Sequence, residues 1–267
     1  MRLKDKVALI TGAASPIGIG YSISMEFAKE GAFVIAADIS DPSGTVGDIK
    51  KMGLRSEPVM MDVSDEAQVN KSIKRILEDH GRIDILVNNA GICPFTPFLE
   101  LTKDIWDITL DVNLTGVFLC SLAVARNMVE NRLKGKIINI SSMCVEYPSV
   151  NQTPYAASKG GVYMLAKNMA LELAPYHINV NSIAPAGMAT NIVQRGDQIL
   201  DEIGRGDKKI KRSSLADSKN MDKVQFEGKD RPVCPYDIAR AAVFLASEDA
   251  AQITGQTIFV NGFNFIR

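Results

Sequence analysis

Histidine is nearly absent. His80 and His177 are the only imidazoles in 267 residues, and a surface or internally satisfied role is the plainer reading for both. Cysteine is sparse as well. Cys93, Cys120, Cys144 and Cys234 lie far apart with no Cys-x-x-Cys pair. That argues against a disulfide framework or a zinc site, whose ligands come in close pairs, and no metal is expected. Ser-His-Asp hydrolysis is not excluded by count, but no Gly-x-Ser-x-Gly turn is present to carry it. Surplus charge is missing too: 30 Lys and Arg stand against 31 Asp and Glu, for a net charge of -1. Nucleic-acid binding needs a clustered cationic excess, so no nucleic-acid partner is expected. No apolar run reaches the roughly 20 residues of a membrane span. Met1 to Lys6 leads straight toward a strand without the apolar segment and cleavage site of a signal peptide. The expectation is a cytoplasmic protein with no membrane partner.

What is present is ample apolar material, 46% of the chain. That suffices for a core without disulfides or metal, which only scaffolds below about 70–80 residues need. Length alone allows one large or two modest domains. Short β-rich runs at Val7–Ile10, Phe33–Ala37, Glu57–Met61, Ile83–Val87, Lys136–Ile140, Ile178–Ile183 and Thr257–Val260 read as about seven strands. Several are continuously apolar, as strands buried on both faces should be. Helical stretches near Gly20–Glu30, Glu66–Glu78, Lys103–Asn131, Tyr155–Leu173 and Tyr236–Ala246 supply the crossovers that parallel strands require. The pattern predicts an α/β Rossmann-type doubly wound sheet with helices on both faces. No repeat or linker cuts the chain, so residues 1–267 are expected to form a single domain. Residues 191–230 break the rhythm. They read as a long substrate-binding loop or lid, with Arg205, Lys208, Lys209, Lys211 and Arg212 in quick succession. A solvated helix face is the plainer account of those cations, and attraction for an anionic substrate the sharper one.

Two constellations carry chemistry. Thr11-Gly12-Ala13-Ala14-Ser15-Pro16-Ile17-Gly18-Ile19-Gly20 follows a strand and opens a helix. Glycines there let the backbone turn tightly and approach a pyrophosphate, whose charge a helix N-terminus favours. Asp38 ends the second strand, where a carboxylate hydrogen-bonds ribose hydroxyls and repels a 2′-phosphate, which points to NAD. A helix cap or turn role for Asp38 stays open beside it. In Tyr155-Ala156-Ala157-Ser158-Lys159 the phenol and ammonium fall four apart, on one helix face. A phenol is a poor base at neutral pH, but a neighbouring cation stabilises its anion. Such a tyrosine can exchange a proton with an alcohol or ketone oxygen. Ser142, 13 residues earlier and just past a strand, can donate to the developing oxyanion.

Together with Asp62-Val63, Asn88-Asn89-Ala90-Gly91, Asn113, Ile140-Ser141-Ser142 and Pro185-Ala186-Gly187-Met188-Ala189-Thr190, these motifs make the chain similar to the short-chain dehydrogenase/reductase family. The likeness runs from about Lys6 to Gly262. The resemblance implies a catalytic set of Asn113, Ser142, Tyr155 and Lys159. Tyr155 would be the general acid/base and Ser142 would polarise the substrate oxygen. Lys159 would bind the nicotinamide ribose and lower the Tyr155 pKa, and Asn113 would hold a relay water. Ser141 is the competing serine, with a spacing that fits less well. The cofactor would meet Gly12, Ser15, Ile17, Gly18 and Ile19 in the first turn, and Asp62 and Val63 at the adenine. Asn88, Asn89, Ala90 and Gly91 would line the cleft, with Pro185, Gly187, Met188 and Thr190 at the carboxamide. Three departures stand out. The glycine-rich turn is two residues longer than usual and contains Pro16, which puts Gly18 and Gly20 in the second and third glycine roles. Ala186 stands where glycine usually follows Pro185. Asn261-Gly262-Phe263 replaces a common Asp-Gly-Gly, which bears on subunit contacts.

The substrate pocket is expected from Cys93, Phe95, Ser142, Cys144 and Tyr155, with Pro94, Met143, Tyr147 and Met188 nearby. Neither cysteine is given a catalytic role. The mostly apolar lining favours a small-molecule secondary alcohol or ketone, while Glu146 and the basic run leave room for a polyol or anionic group. The expected protein is an NAD-dependent oxidoreductase and a homo-oligomer, tetramer or dimer. A 3-oxoacyl-thioester reductase acting on carrier-protein or CoA substrates is the alternative enzyme. A catalytically silent nucleotide-binding scaffold is the alternative of another class.

Overall fold

The computed structural model describes residues 1–188, 190–208 and 233–262. Seven strands, β1 Val7–Thr11, β2 Phe33–Asp38, β3 Ser56–Met60, β4 Ile85–Asn88, β5 Lys136–Ile140, β6 Asn179–Pro185 and β7 Thr257–Val260, form one parallel sheet in the order β3-β2-β1-β4-β5-β6-β7. β1 pairs with β2 through Leu9↔Ile35 and with β4 through Leu9↔Leu86. The chain therefore reverses its direction of winding at β1/β4, and a doubly wound sheet opens its crevice there, beyond the carboxyl ends of the strands.

Both faces are apolar because alternate residues of each strand enter opposite layers. Ala8, Ile10, Ile85, Val87, Ile138 and Ile140 pack with Ile23 and Phe27 of α1 (Ile19–Lys29), Val46 and Ile49 of α2 (Ser43–Lys51), and Ile238 and Ala242 of α8 (Pro235–Ala246). Leu9, Leu86, Ile137 and Val180 pack instead with Val69 and Ile73 of α3 (Glu66–His80), Cys120 and Val124 of α5 (Gly116–Glu130), and Ala166 and Ala170 of α6 (Thr153–Leu173). Local chemistry sets the helix ends. At α3, Asp65 accepts from the Ala67 and Gln68 amides, and Gly81 closes the helix at φ 74°.

The expected helix over Lys103–Asn131 is in fact three pieces: α4 (Lys103–Leu110), a π-helical turn at Asp111–Thr115, and α5. An 18-residue window within Lys103–Glu130 is apolar enough by composition to cross a membrane, and 44% of that window is buried in the fold. The stretch is broken by the π turn and packs its Cys120, Val124 and Met128 against the sheet. α2 has no counterpart among the helices anticipated above. Inside the supposed loop 191–230 lies α7 (Ile192–Glu202), with Gly196, Ile199 and Leu200 buried. Lys209, Lys211 and Arg212 of the basic run, Ala189 and Phe263 lie outside the described residues.

Candidate active site

The crevice at the strand ends is a cleft of about 520 Å³. One wall is the turn after β1. Gly12 sits at φ +68°, and a Cβ on it would stand 2.8 Å from the Ala90 Cα and the Asn89 amide nitrogen. A Cβ on Gly20 would fall 2.3 Å from the Gly12 carbonyl oxygen, so α1 meets β1 at the closest approach a backbone allows. Gly18 takes the N-cap position of α1, whose first turn holds no acidic residue and no side-chain cap. The amides there remain for an anion, which the helix N-terminus favours. Asn89 donates from Nδ2 to the Thr11 and Gly12 carbonyls, and the Thr11 hydroxyl accepts from the Asn89 and Ala90 amides. These bonds lock the β4 end against the glycine turn. Bare helix amides over side-chain-free backbone fit an anionic dinucleotide.

Gly12, Ser15, Gly18, Ile19, Asp38, Asp62, Val63, Asn89, Ala90, Gly91 and Thr190 all line the cleft. Asp38 accepts from the Ala14 amide at 2.9 Å and the Ser40 amide at 3.0 Å, so its carboxylate shapes the turn while facing the cleft. Asp62 accepts from the Ser64 amide and hydroxyl. Asn88 does not join them. It is buried, donating to Ser121 Oγ and Asn139 Oδ1 inside the sheet layer. Ile17 is exposed, and Pro185, Gly187 and Met188 lie outside the lining, with Met188 packed on the core. Ala186 is buried without a positive φ and donates to the Val260 carbonyl, so its methyl group is accommodated.

The second constellation converges beyond Gly91. Asn113 sits in the π turn, fully buried, accepting from the Ile92 amide and donating to the Ile92 carbonyl and Ser158 Oγ. A Cβ on Gly91 would lie 3.2 Å from Asn113 Oδ1 and 3.6 Å from Lys159 Nζ, so the cleft floor abuts both. Lys159 is buried on α6 and donates to the Ile140 carbonyl at 2.8 Å. Its Nζ stands 5.7 Å from the Tyr155 ring centre. Burial pushes the Lys159 ammonium down to about 8. Burial raises the Tyr155 phenol well above its ordinary value, and a hydrogen bond with Ser142 pulls the other way. Ser142 Oγ also accepts from the Cys144 amide, fixing the hydroxyl at the end of β5. Ser141 points elsewhere, donating to the Lys159 carbonyl from a buried position.

Ser142, Tyr155, Lys159, Cys93, Phe95 and Cys144 are not among the residues lining the cleft; of these, Lys159 lies just behind its floor at Gly91. Cys93 is buried and its thiol pushed up to about 12, and burial also raises Cys144, so both stay neutral. Residues 191–230 were expected at the site as a segment; the structure shows which of them line the cleft, Ile192, Arg195, Ile199 and Glu202 of α7, and adds Ile108 of α4 and Val112 of the π turn, which no motif signalled. The 3–4–3 spacing of those four α7 residues was the available signal, and Gly196 in their midst obscured it.

A family profile described as short chain dehydrogenase matches residues 6–199. The chain is 37% identical over 264 residues to a 3-oxoacyl-(acyl-carrier-protein) reductase of Thermotoga maritima, covering 98% of both chains. It is 37% identical over 269 residues to galactitol 2-dehydrogenase of Agrobacterium fabrum, covering 100% of both. A crystal structure of a short chain dehydrogenase from Mycobacterium smegmatis superposes with a TM-score of 0.78 at 28% identity, over 98% of this chain and 94% of that one.

Proposed function

The chain belongs to the short-chain dehydrogenase family, an oxidoreductase family that uses a nicotinamide cofactor, and on that premise we propose an NAD-dependent interconversion of a secondary alcohol and a ketone. The observation that carries the reading is the convergence of Ser142, Tyr155 and Lys159 directly past the cleft floor at Gly91. When bound, the nicotinamide supplies or accepts the hydride. The remaining work belongs to side chains. The Ser142 hydroxyl, oriented by the Cys144 amide, holds the substrate oxygen against the Tyr155 phenol. Tyr155 then gives that oxygen a proton, or takes one from it, as the direction of reaction requires. Lys159 carries charge below about pH 8 and favours the phenolate electrostatically. Both amide protons of Asn113 are committed, so a relay water would use the second lone pair of Oδ1.

Asp38 and Asp41 at the cleft wall support NAD over NADP, because a 2′-phosphate would meet two carboxylates there. Turnover with NADH and NADPH decides this, and a strong NADPH preference would defeat it. The alternative, a 3-oxoacyl-thioester reductase, is favoured by the name of the Thermotoga relative. A panel of ketones and 3-oxoacyl thioesters, read by nicotinamide absorbance, separates the two. Silence toward both would favour the scaffold reading, against which the complete catalytic set argues. The apolar Ile92, Ile108, Val112, Ile192 and Ile199 along the cleft support a substrate with a hydrocarbon portion. We further read residues 1–267 as one catalytic domain with its lid at about 191–230, a homo-oligomer, and a cytoplasmic enzyme.

A further inference from the structure

The cleft wall is short of positive charge. Asp38, Asp41, Asp62 and Glu202 line it, and among the described residues Arg195 is the only lysine or arginine that does so. The Arg195 guanidinium lies along α7, with Nη1 at 2.8 Å from Glu202 Oε1 and 3.5 Å from Gln198 Oε1. Its side chain keeps 31% of its exposure and that of Glu202 58%, so the pair is solvated and easily exchanged.

Two contacts hold α7 so that this face looks into the cleft. Gly196 packs directly on the loop after β4, where a Cβ would fall 2.5 Å from the Cys93 carbonyl oxygen and 2.8 Å from the Pro94 nitrogen. Arg205, just past the helix, pairs with Asp104 of α4 at 2.8 Å. Seated there, α7 turns Ile192, Arg195, Ile199 and Glu202 toward the same space as the glycine turn and the uncapped start of α1.

We propose that Arg195 of α7 is an anion-binding residue: its guanidinium leaves Glu202 for the diphosphate of the dinucleotide. This rests on the nicotinamide reading above and adds to it a side-chain partner for the diphosphate. Beside these carboxylates a guanidinium adds counter-charge to what the backbone amides supply, and it offers a diphosphate bidentate hydrogen bonds. The lining favours the cofactor over an anionic substrate as the source, because Ser142 and Tyr155, where a substrate would sit, lie outside the part of the cleft that Arg195 faces.

The test is equilibrium titration of the full-length protein with NADH (by its fluorescence) and with ADP and adenosine (by calorimetry), for the wild type, Arg195→Gln, Arg195→Lys and Glu202→Gln. The expected result is a loss of about tenfold in NADH and ADP affinity for Arg195→Gln, with adenosine changed less than twofold. Arg195→Lys should recover part of the loss. Glu202→Gln, which frees the guanidinium without removing it, should bind ADP more tightly. Raising salt should weaken ADP binding to the wild type more than to Arg195→Gln. Equal ADP affinity in wild type and Arg195→Gln overturns the proposal while leaving the nicotinamide reading intact. The same holds if Arg195→Gln only raises KM for carboxylate-bearing substrates. Failure of the wild type to bind either NADH or NADPH overturns both.

Discussion

Burying Lys159 costs the fold stability in order to serve the site. The ordinary ammonium pKa of 10.5 falls to about 8 in the folded protein, a difference of about 3 kcal/mol at 1.36 kcal/mol per unit. The unfolded chain holds more protons than the folded one between those values, so stability should rise with pH through that window. The buried thiols Cys93 and Cys120, raised from 9.0 to about 12, act oppositely above pH 9. The rise is therefore clearest between pH 8 and 9. Lys159→Met should remove that rise and increase the melting temperature at pH 7 by about 4 °C, allowing for the orphaned Ile140 carbonyl; calorimetry at the two pH values checks both effects. The same variant should lose turnover. Tyr155→Phe should lower kcat by about 10²–10⁴ while NADH binding, followed by fluorescence, stays within twofold. Undiminished turnover in that variant would refute the mechanism. These residues were legible because their chemistry is local: Tyr155 and Lys159 share a helix face, and Ser142 ends a strand. Asn88 was misread as lining the cleft because sequence does not say which of two adjacent asparagines faces inward. The pleat decides that, turning Asn88 toward Asn139 and Ser121.

Elements separate two kinds of close-packed glycine. Gly20 joins α1 to β1 within the central layers, and the contact is backbone to backbone. Gly20→Ala should destabilise the whole protein by about 1–3 kcal/mol, lowering its thermal midpoint. Gly196 meets the backbone of Cys93 and Pro94 just as closely, but α7 lies over the cleft and not within the sheet layers. In Gly196→Ala the helix should lift away while the sheet stays folded. Its kcat/KM should fall about tenfold while the melting temperature moves by less than about 2 °C, seen by steady-state kinetics beside a melt. The strands were legible because runs such as Val7–Ile10 are apolar throughout. α7 was not, because a mid-helix glycine and a charged face hide its apolar residues. The π turn at Asp111–Thr115 was invisible for a related reason: it continues a helical pattern while adding one residue, and the Asn113 it carries bonds to Ile92, a residue distant in sequence.

For the whole molecule, Phe118 on α5 and Met164 and Leu171 on α6 remain exposed at 45%, 53% and 76%. Large apolar side chains left on two helices beside the site support the homo-oligomer proposed above. Phe118→Glu with Leu171→Glu should shift the sedimentation coefficient toward that of a 29.0 kDa monomer, and an unchanged coefficient would place the interface elsewhere. The sequence by itself determined the parallel α/β sheet, since buried apolar strands alternating with amphipathic helices leave few other ways to pair backbone and hide both faces. It also determined the chemistry near Tyr155, where spacing along one helix is already geometry. Tertiary structure alone decided which residues face the cleft and which lie behind it, that α7 forms the far wall, and that Arg195 stands among four carboxylates. Those facts depend on contacts between segments as distant as Gly196 and Cys93, or Arg205 and Asp104. No local pattern encodes such meetings, because they are set by how the finished layers pack.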